Sequence, residues 1–370
     1  MRELFERRVV CVLGLPIDVI AMPATVERVR AAVRRRTPLF LSTPNLSFAI
    51  NGLRDPAFRD SVINSDLSVA DGMPLVWVAR LLGLPIRERV PGSGLLECLR
   101  DGGPLDQVSV YFFGGPEGVA QAAAERLDAQ PSGLVCKGWE SPGFGTVEAL
   151  SRPESLSRIN SSGADFLVVA LGAQKGQAWI ERNRAQIAVP VVSHLGAALN
   201  FVAGSMRRAP RWVQRIGLEW VWRIKEEPAL WRRYFRDGVT FLWVFLGRTL
   251  PLAWALRSQR PSQPALAAAT VEVEESRDEV VVRLQGPWTG DNVGPVRDAF
   301  VRAASADRDI RVDLATAASA DPELLGLLVL LYGHQRQQRR GFRCNPVSPA
   351  VLRIVRRSCV EFLLDDSSAR

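Results

Sequence analysis

Cysteine, histidine and lysine are scarce in this chain of 370 residues, and each scarcity excludes a class of protein or site. The five cysteines are scattered, odd in number and form no CxxC motif, which excludes a disulfide scaffold and indicates reduced thiols in a cytosolic protein. The two histidines, His194 and His334, have no cysteine or histidine near them at metal-ligand spacing, so we expect no metal site. The N-terminal segment lacks the long apolar region and the A-x-A cleavage site of a secretory signal, so we expect none.

Apolar residues are plentiful (47%), and 23% of residues are charged, which excludes disorder as a description of the whole chain. The length predicts two or three domains. The net charge of +8 comes almost entirely from arginine, since lysine occurs only at positions 137, 175 and 225. Arginine suits bidentate contact with phosphate in nucleotides, nucleic acids or lipid headgroups, although a bias toward arginine codons would give the same excess. Only clustered arginines therefore point to a function.

Short apolar runs alternate with amphipathic stretches between Arg8 and Val192. The strand candidates are Pro38–Leu41, Val108–Phe113, Phe166–Leu171 and Val189–Ser193. The helix candidates are Ala24–Arg35, Ala57–Asn64, Met73–Leu82, Glu117–Ala129 and Gln177–Ile187. This alternation predicts a Rossmann-like α/β domain, a parallel sheet with helices on both faces, over residues 1–202. Small and polar residues follow the strands at 42–45, 114–115 and 172, at the edge where such sheets bind phosphorylated ligands.

Residues 203–257, here called the appendage, hold six of the ten tryptophans, interleaved with arginines. The stretch Gly238–Leu256 contains one charge, Arg248, and one proline, Pro251, and is just long enough to span a bilayer. A buried helix within a larger domain is the alternative interpretation. The Arg/Trp composition that precedes the stretch is typical of a membrane interface, so we expect a helical, membrane-associating appendage.

Residues 258–270 are rich in Pro, Ala, Ser and Gln and predict a linker to a second, small α/β domain at 271–370. The predicted strands of this domain are Val280–Leu284, Ile310–Leu314 and Phe342–Asn345, and its predicted helices are Val293–Ala304, Pro322–Gln338 and Pro349–Ser358. It has no cluster of catalytic residue types, which indicates a binding or regulatory module.

Three polar side chains stand out in the first domain: Thr43 and Asn45 just after a strand, and Asp71 before a glycine and an apolar helix. A general base belongs at such a strand end, beside a phosphate-binding edge. The alternative is that Asp71 caps the following helix or stabilises a turn. The residue types alone leave both interpretations open.

Six segments carry a family resemblance through their order and spacing: STPNLSFAINGL (42–53), SDLSVADG (65–72), RERVPGSG (87–94), VSVYFFGGPEG (108–118), FLVVALGAQKGQAW (166–179) and AGSMRRAPRWVQRIGLEWVWRIKEEPALWRRY (203–234). Over about residues 8 to 236 the chain resembles the WecG/TagA/CpsF glycosyltransferase family. The resemblance implies inverting transfer of a sugar from a UDP-sugar to a polyprenyl-diphosphate-linked acceptor, with no cofactor and no metal ion. It also implies site roles: Asp71 as general base, and Thr43, Asn45 and Arg89 as substrate contacts.

Without a metal ion, a leaving diphosphate needs charge compensation from arginines and backbone N–H groups. Gly114 and Gly115 precede a predicted helix and would allow N–H groups to approach the diphosphate closely. The appendage arginines Arg215, Arg223 and Arg233 would close over the diphosphate, with contact to anionic lipid as the alternative.

The chain departs from the family at a G-x-P-K-Q-E motif, where it has Gly172-Ala173-Gln174-Lys175-Gly176-Gln177. We expect Gln174 and Lys175 to contact the substrate, with Gln177 as a second candidate for the lost glutamine contact. Leu230 stands where the family often has arginine. These changes favour an altered donor preference, or a chain that binds the donor without catalysis.

The C-terminal module resembles a STAS domain through IRVDLATAASADPELLGLLVLL (310–331) and RRGFRCNPVSPAVLRIVRRS (339–358). Such domains usually carry Asp-Ser-Ser-Gly where this chain has Asp321-Pro322-Glu323-Leu324, so the phosphorylatable serine is replaced by a fixed charge. We expect this helix start to bind a partner protein constitutively and the module to be dispensable for chemistry. The alternative is that the two acids only cap the helix.

Together these features predict a membrane-associated glycosyltransferase of cell-envelope or exopolysaccharide synthesis. The alternative is a non-catalytic nucleotide-sugar-binding or scaffolding protein of the same pathway. We expect no nucleic-acid partner, because the Arg/Trp belt adjoins an apolar segment suited to lipid. A UDP-sugar and a STAS-like module are both expected in the cytosol, which predicts a peripheral or monotopic enzyme at the cytoplasmic face of the membrane. Arg248 and Pro251 favour a monotopic or re-entrant helix pair over a straight span.

Overall fold

The computed structural model describes residues 2–103, 106–129, 133–206, 209–210, 213 and 217–364. The strands are β1 (Val9–Val12), β2 (Leu15–Asp18), β3 (Leu39–Ser42), β4 (Leu67–Ser68), β5 (Val108–Gly114), β6 (Leu134–Glu140), β7 (Phe166–Ala170), β8 (Val191–His194), β9 (Thr270–Glu275), β10 (Glu279–Trp288), β11 (Asp309–Leu314), β12 (Ala317–Ala320) and β13 (Phe342–Val347).

The helices are α1 (Arg2–Glu6), α2 (Met22–Arg35), α3 (Leu46–Arg54), α4 (Pro56–Ile63), α5 (Met73–Leu81), α6 (Gly92–Arg100), α7 (Val119–Asp128), α8 (Val147–Leu150), α9 (Pro153–Ser161), α10 (Ala173–Asn183), α11 (Gly196–Ala203), α12 (Glu219–Glu226), α13 (Trp231–Val244), α14 (Leu250–Ser258), α15 (Gln263–Ala267), α16 (Gly294–Ser305), α17 (Pro322–Gln337) and α18 (Pro349–Arg357). A π turn covers Phe245–Thr249, and 3-10 turns cover Arg184–Gln186, Pro228–Leu230 and Glu361–Leu363.

Six parallel strands form the N-terminal sheet, in the order β4-β3-β8-β7-β5-β6. The central strands β3, β8, β7 and β5 are buried along their whole length, as expected where helices cover both faces. Alternate residues of β5 enter different apolar clusters, with Val110 and Phe112 on one face and Tyr111 and Phe113 on the other. The predicted parallel α/β sheet is confirmed. The edge strands β4 and β6 lie outside the predicted strands, and α10 begins at Ala173 rather than at Gln177.

Five strands form the C-terminal sheet, in the order β12-β10-β11-β13 with β9 antiparallel to β10. The helices α16, α17 and α18 follow the predicted pattern, which confirms a small α/β domain. The segment predicted as a linker contains the short helix α15, whose Leu266 is buried.

The hairpin β1–β2, which the sequence analysis did not predict, is a separate two-stranded sheet that packs against helices of both domains. All residues of both strands are buried, and β1 packs against α17 of the C-terminal domain. Gly326 of α17 lies so close to the hairpin that a Cβ atom there would be 3.0 Å from the Val9 carbonyl oxygen. Gly333, two turns further on, faces α4, where a Cβ atom would be 2.5 Å from Ile63 Cγ2. One apolar cluster therefore runs from the hairpin into the C-terminal domain.

The acidic start of α17 faces the same chain. Asp321 caps the helix by accepting a hydrogen bond from the Glu323 backbone N–H (2.9 Å). The Glu323 side chain is buried and pairs with Arg297 (3.1 Å) and, more distantly, with Arg8 of the N-terminal segment (3.7 Å). The site at which we expected a partner protein is thus occupied by residues of this chain, and for Asp321 the capping alternative is confirmed.

Helices α13 and α14 and the π turn between them form one continuous helix, Trp231–Ser258, here called the appendage helix. Within the described ranges it is the one helix that is long and apolar enough to cross a membrane. Pro251 is the second residue of α14, just after the π turn, and does not break the helix. The structure therefore has a single helix here, not the helix pair that Pro251 favoured.

Candidate functional site

Backbone hydrogen bonds hold three loops side by side at the carboxyl edge of the N-terminal sheet. The Asp71 N–H donates to the Pro44 carbonyl oxygen (2.7 Å), so the chain after β4 runs beside the chain after β3. The Val90 N–H donates to the Ala70 carbonyl oxygen (2.7 Å), which adds the loop before α6. The three loops carry the four residues that the resemblance singled out: Thr43, Asn45, Asp71 and Arg89.

Asp71 does not cap the helix that follows it. Helix α5 begins at Met73, its capping residue is Gly72, and no side chain makes a capping hydrogen bond there. The helix-cap interpretation of Asp71 is therefore wrong. The Asp71 side chain is partly buried, and this burial raises the pKa of its carboxyl group to about 7. A carboxyl group with that pKa is well matched to proton transfer near neutral pH.

Thr43 and Asn45 form the turn from β3 into α3. Thr43 is buried beside Gly92, the first residue of α6. The Asn45 side-chain oxygen caps α3 by accepting a hydrogen bond from the Phe48 N–H (3.2 Å). Gly72 lies against Asn45, since a Cβ atom at Gly72 would be 3.4 Å from Asn45 Cβ. The capping bond thus fixes the Asn45 side chain beside the segment that carries Asp71.

Three charged side chains act on Asp71 from two other segments. Arg89 and Glu219 form a largely buried ion pair that joins the loop before α6 to the start of α12. Arg89, Arg223 and the Gly92 N–H lower the pKa of Asp71, whereas Glu219 raises it, and burial outweighs all of them. The Nε atom of Arg223 is buried and has no hydrogen-bond partner among the described residues. Both guanidinium groups would attract an anion bound near Asp71.

Gly114 and Gly115 end β5 at the same edge of the sheet, with φ of +105° and +84°. These left-handed conformations favour glycine. A Cβ atom at Gly114 would also be 2.8 Å from the Ala170 carbonyl oxygen, so packing alone requires a glycine there. Strand β5 is four strand positions from β4, or about 19 Å at the usual spacing of strands. The structure therefore separates this glycine pair from Asp71.

The altered motif at 172–177 forms the start of α10. Gln174 is exposed, and the Lys175 ammonium donates to the Gly145 carbonyl oxygen (2.6 Å). Gly176 is pressed against His194 at the end of β8, since a Cβ atom at Gly176 would be 2.2 Å from His194 Cδ2. The imidazole ring therefore occupies the space into which a longer side chain at position 176 would extend.

Gln177 is fully buried and donates to the Ser42 hydroxyl (3.0 Å), at the residue before Thr43. Its side-chain carbonyl oxygen has no partner among the described residues. His194 Nε2 lies 2.5 Å from the Leu171 carbonyl oxygen, and burial lowers the pKa of the imidazole. The carboxyl edge between β3 and β8 is thus lined by neutral polar side chains.

The three appendage arginines differ in their positions relative to Asp71. Arg223 lies beside Asp71, as described above. Arg233 is exposed on α13, with its guanidinium 5.4 Å from the centre of the Tyr234 ring, and no contact recorded among the described residues joins it to Asp71. Arg215 lies outside the described residues.

Sequence reasoning missed two residues of this site. Glu219 belongs to a segment that carries the resemblance but received no role, and His194 was considered only as a metal ligand. The signal for Glu219 was an acid within the arginine-rich appendage, but its ion-pair partner Arg89 is 130 positions away in the chain. The signal for His194 was a histidine directly after an apolar strand that ends at the ligand-binding edge.

Comparison with known proteins gives two matches that divide the chain. The profile of the glycosyl transferase WecG/TagA/CpsF family matches residues 10–254, and the profile of the Mlab, STAS domain matches residues 271–365.

The first region is similar to proteins named N-acetylglucosaminyldiphosphoundecaprenol N-acetyl-beta-D-mannosaminyltransferase. The one from Bacillus spizizenii is 28% identical over 194 residues, which are 52% of this chain and 74% of the relative. The one from Staphylococcus aureus (strain MW2) is 25% identical over 228 residues, which are 61% of this chain and 86% of the relative. Because the family profile spans more than half of the chain, the protein belongs to the WecG/TagA/CpsF family of glycosyltransferases and carries a C-terminal STAS domain.

Proposed function

We propose that this glycosyltransferase is inverting and metal-independent, and that it moves a sugar from a UDP-sugar to a polyprenyl-diphosphate-linked acceptor in cell-envelope or exopolysaccharide synthesis. The observation that carries the proposal is Asp71, a partly buried carboxyl group with a pKa of about 7 that is flanked by two arginines. The names of the relatives, which state an N-acetylglucosaminyldiphosphoundecaprenol acceptor, support the acceptor class.

The chemistry assigns separate tasks to the base and to the arginines. Asp71 takes the proton of the acceptor hydroxyl while that oxygen attacks the anomeric carbon, and the bond from this carbon to the UDP oxygen breaks on the opposite face. The leaving diphosphate gains negative charge in the transition state. Arg89 and Arg223 are placed to compensate that charge, which replaces the work of a metal ion. Thr43 and Asn45 orient the sugar beside the base.

The nucleotide end of the donor would lie further along the sheet. Gly114 and Gly115 are about four strand spacings from Asp71, too far to contact a diphosphate that reacts there. We therefore assign their N–H groups to the nucleotide end of an extended UDP-sugar. Gln174 and Lys175 follow the intervening strand β7 and stay candidate substrate contacts.

The test uses the full chain in detergent with a panel of UDP-sugars that includes UDP-N-acetylmannosamine. Each donor is assayed with and without polyprenyl-diphosphate-N-acetylglucosamine, and with and without EDTA. We expect UDP release and a heavier lipid product by mass spectrometry only when both substrates are present. The stereochemistry of the new bond, read by NMR, tests inversion. Loss of transfer on adding EDTA, with recovery on adding a divalent metal, would contradict metal independence.

The altered motif at 172–177 is the basis of one alternative, in which the chain binds the nucleotide-sugar without catalysing transfer. Gly176 stands where the family has glutamine, and the His194 ring fills the space beside it. A donor that raises the melting temperature of the chain by binding, yet yields no product with any acceptor, would favour this alternative.

We also propose that the appendage helix lies on the cytoplasmic face of the membrane. Exposed apolar side chains recur on one flank of the helix at every third or fourth residue: Phe235, Val239, Leu242, Trp243, Leu246, Leu250 and Trp254. An apolar stripe of this kind, with two largely exposed tryptophans, is typical of a helix that lies in the membrane interface.

Polar contacts between the helix and the rest of the chain oppose a transmembrane position. Arg54 donates to the Thr240 hydroxyl in the first half of the helix (2.5 Å), and Arg257 near the helix end donates to the Leu81 carbonyl oxygen (2.9 Å). Arg248, between them, pairs with a glutamate of the C-terminal domain (2.6 Å). Both halves of the helix thus contact the rest of the chain, which supports a peripheral or monotopic enzyme.

Replacing both Trp243 and Trp254 by serine is expected to weaken binding to vesicles of anionic phospholipid by about 10-fold or more, because two interfacial indole rings are removed. Co-sedimentation with vesicles measures the effect, and transfer to a short-chain, water-soluble acceptor should stay near normal. Trp139→Ser, which removes an exposed tryptophan outside the appendage, is the matched control. Unchanged vesicle binding by the double variant would contradict the assignment of this flank.

A further inference from the structure

We infer that Glu219 is a positioning residue that ties the appendage to the Arg89 loop and balances one of the two positive charges beside Asp71. The inference rests on the proposed role of Asp71 as base and adds a role for a residue that does not itself touch the reacting atoms. Glu219 acts through Arg89.

The place of Glu219 is fixed by the docking of the appendage on α5. Gly217 turns the chain into α12 with φ of +77°, and a Cβ atom there would be 2.7 Å from the Trp77 ring and 2.9 Å from Met73 Cβ. Only glycine fits that contact. Met73 begins the helix that directly follows Asp71 and Gly72. The first residue of α12, Glu219, is therefore delivered to the neighbourhood of Asp71 by backbone packing.

Glu219 then forms its ion pair with Arg89 in a largely enclosed place. The side chains of Arg89 and Glu219 are 17% and 18% exposed, so neither charge is well hydrated. A pair of this kind is costly to break, because removing one partner leaves the other charge poorly compensated. The pair thus joins two segments that are distant in sequence and holds the Arg89 guanidinium in one position.

Among the residues that the structure describes, the charges that act on Asp71 also balance. Two of these groups are cations, Arg89 and Arg223, and two are anions, Asp71 itself and Glu219. Without Glu219, both cations would stabilise the Asp71 carboxylate, which would then be a weaker base. Glu219 offsets one of them, while burial and this offset together keep the pKa of Asp71 near 7.

Glu219→Gln tests the inference, because glutamine keeps the size and shape of the side chain and one acceptor oxygen while it removes the charge. We expect kcat to fall about 10-fold and the acid limb of the kcat–pH profile to move to lower pH by about 1 unit. The KM for the donor should not rise, since Arg89 keeps its positive charge and still attracts the diphosphate. Glu219→Asp, which retains the charge, should keep the acid limb at its wild-type position even if kcat is reduced by the shorter side chain.

Glu226→Gln is the matched control, because it removes the same charge from the exposed, opposite end of α12 and should leave the profile unchanged. An acid limb that does not move in a folded Glu219→Gln enzyme, or a loss confined to KM, overturns the inference. If Glu219→Gln fails to fold, a shifted acid limb in Glu219→Asp overturns it instead. Loss of activity in Asp71→Asn with a wild-type pH profile in Glu219→Gln would reject this inference alone, whereas an active Asp71→Asn enzyme would reject the proposed base.

Discussion

Asp71→Asn is expected to lower the rate of sugar transfer by about 10²- to 10⁴-fold while the protein stays folded. Asparagine has the size of aspartate, but its amide cannot take a proton from the acceptor hydroxyl. The fold should tolerate the change because Asp71 makes no capping bond to α5. Initial rates with a UDP-sugar and the lipid-linked acceptor measure the loss, and the thermal unfolding of the variant reports on its fold.

The pH dependence of the wild-type enzyme gives the same residue a second test. The base acts when ionised, so kcat should fall as the pH drops below about 7, where burial holds the pKa of Asp71. The residual activity of Asp71→Asn should lack this acid limb. Asp101→Asn, at an exposed position after α6, is the control and should behave as wild type. Near-normal turnover by a folded Asp71→Asn enzyme would remove Asp71 from the role of base.

The sequence predicted those elements whose burial is visible as a local pattern of apolar residues. Strands β5 and β7 are apolar at nearly every position, because helices cover both of their faces, and such runs are visible in the sequence. Thr43 and Asn45, which follow β3, were recognisable as ligand-edge residues for the same reason, whereas the short strand β4 before Asp71 was not predicted. Parallel strands end at one edge, so their distance in the chain does not matter.

The hairpin β1–β2 escaped prediction because its local signals are weak. Its turn is Leu13-Gly14, with a non-glycine residue at φ of +51°, in place of the usual Asn-Gly, and Pro16 lies within its second strand. Its burial comes from the C-terminal domain, more than 300 positions away in the chain. The one hint in the sequence was α17, which is apolar around most of its circumference. Such a helix must pack against other elements on more than one face.

Two site residues depended on tertiary contacts that a single sequence does not reveal. Glu219 acquires its meaning from Arg89, 130 positions earlier. The glycine at 176 looked like the loss of a functional side chain, whereas in the structure the His194 ring takes up the space. In both cases the sequence shows the residue type but does not show which distant residue contacts it.

The packing of the C-terminal domain argues against the expectation that this domain is dispensable for chemistry. That expectation came from a linker-like composition and an absence of catalytic residue types, and neither property reports on packing. Residues Val9–Val12 are almost completely inaccessible to solvent, and α17 covers them. Arg297 of the C-terminal domain also donates to the carbonyl oxygens of Phe5 and Arg7 (2.6 and 2.7 Å). The C-terminal domain thus buries apolar residues of the transferase part that would otherwise face solvent.

A chain that ends at Arg260 is therefore expected to lose transfer by at least about 10-fold and to aggregate, because the apolar hairpin and α4 would face water. Solubility, circular dichroism and transfer in detergent measure the outcome. A soluble, folded chain of residues 1–260 with near-normal transfer would restore the original expectation.

A point variant tests the same interface without removing a domain. Gly333→Leu places a side chain where even a Cβ atom would be 2.5 Å from Ile63 Cγ2 in α4, and we expect it to lower the free energy of unfolding by about 1–3 kcal/mol. Gly294→Ala, at the start of α16 with no atom within 4 Å of the added carbon, should change it by less than about 0.5 kcal/mol. If the two domains fold as one unit, the unfolding transition of Gly333→Leu should shift as a whole, whether monitored by tryptophans of the transferase part or by Trp288 of the C-terminal domain. Two separate transitions, with only the C-terminal one shifted, would show that the transferase part is stable without its cover.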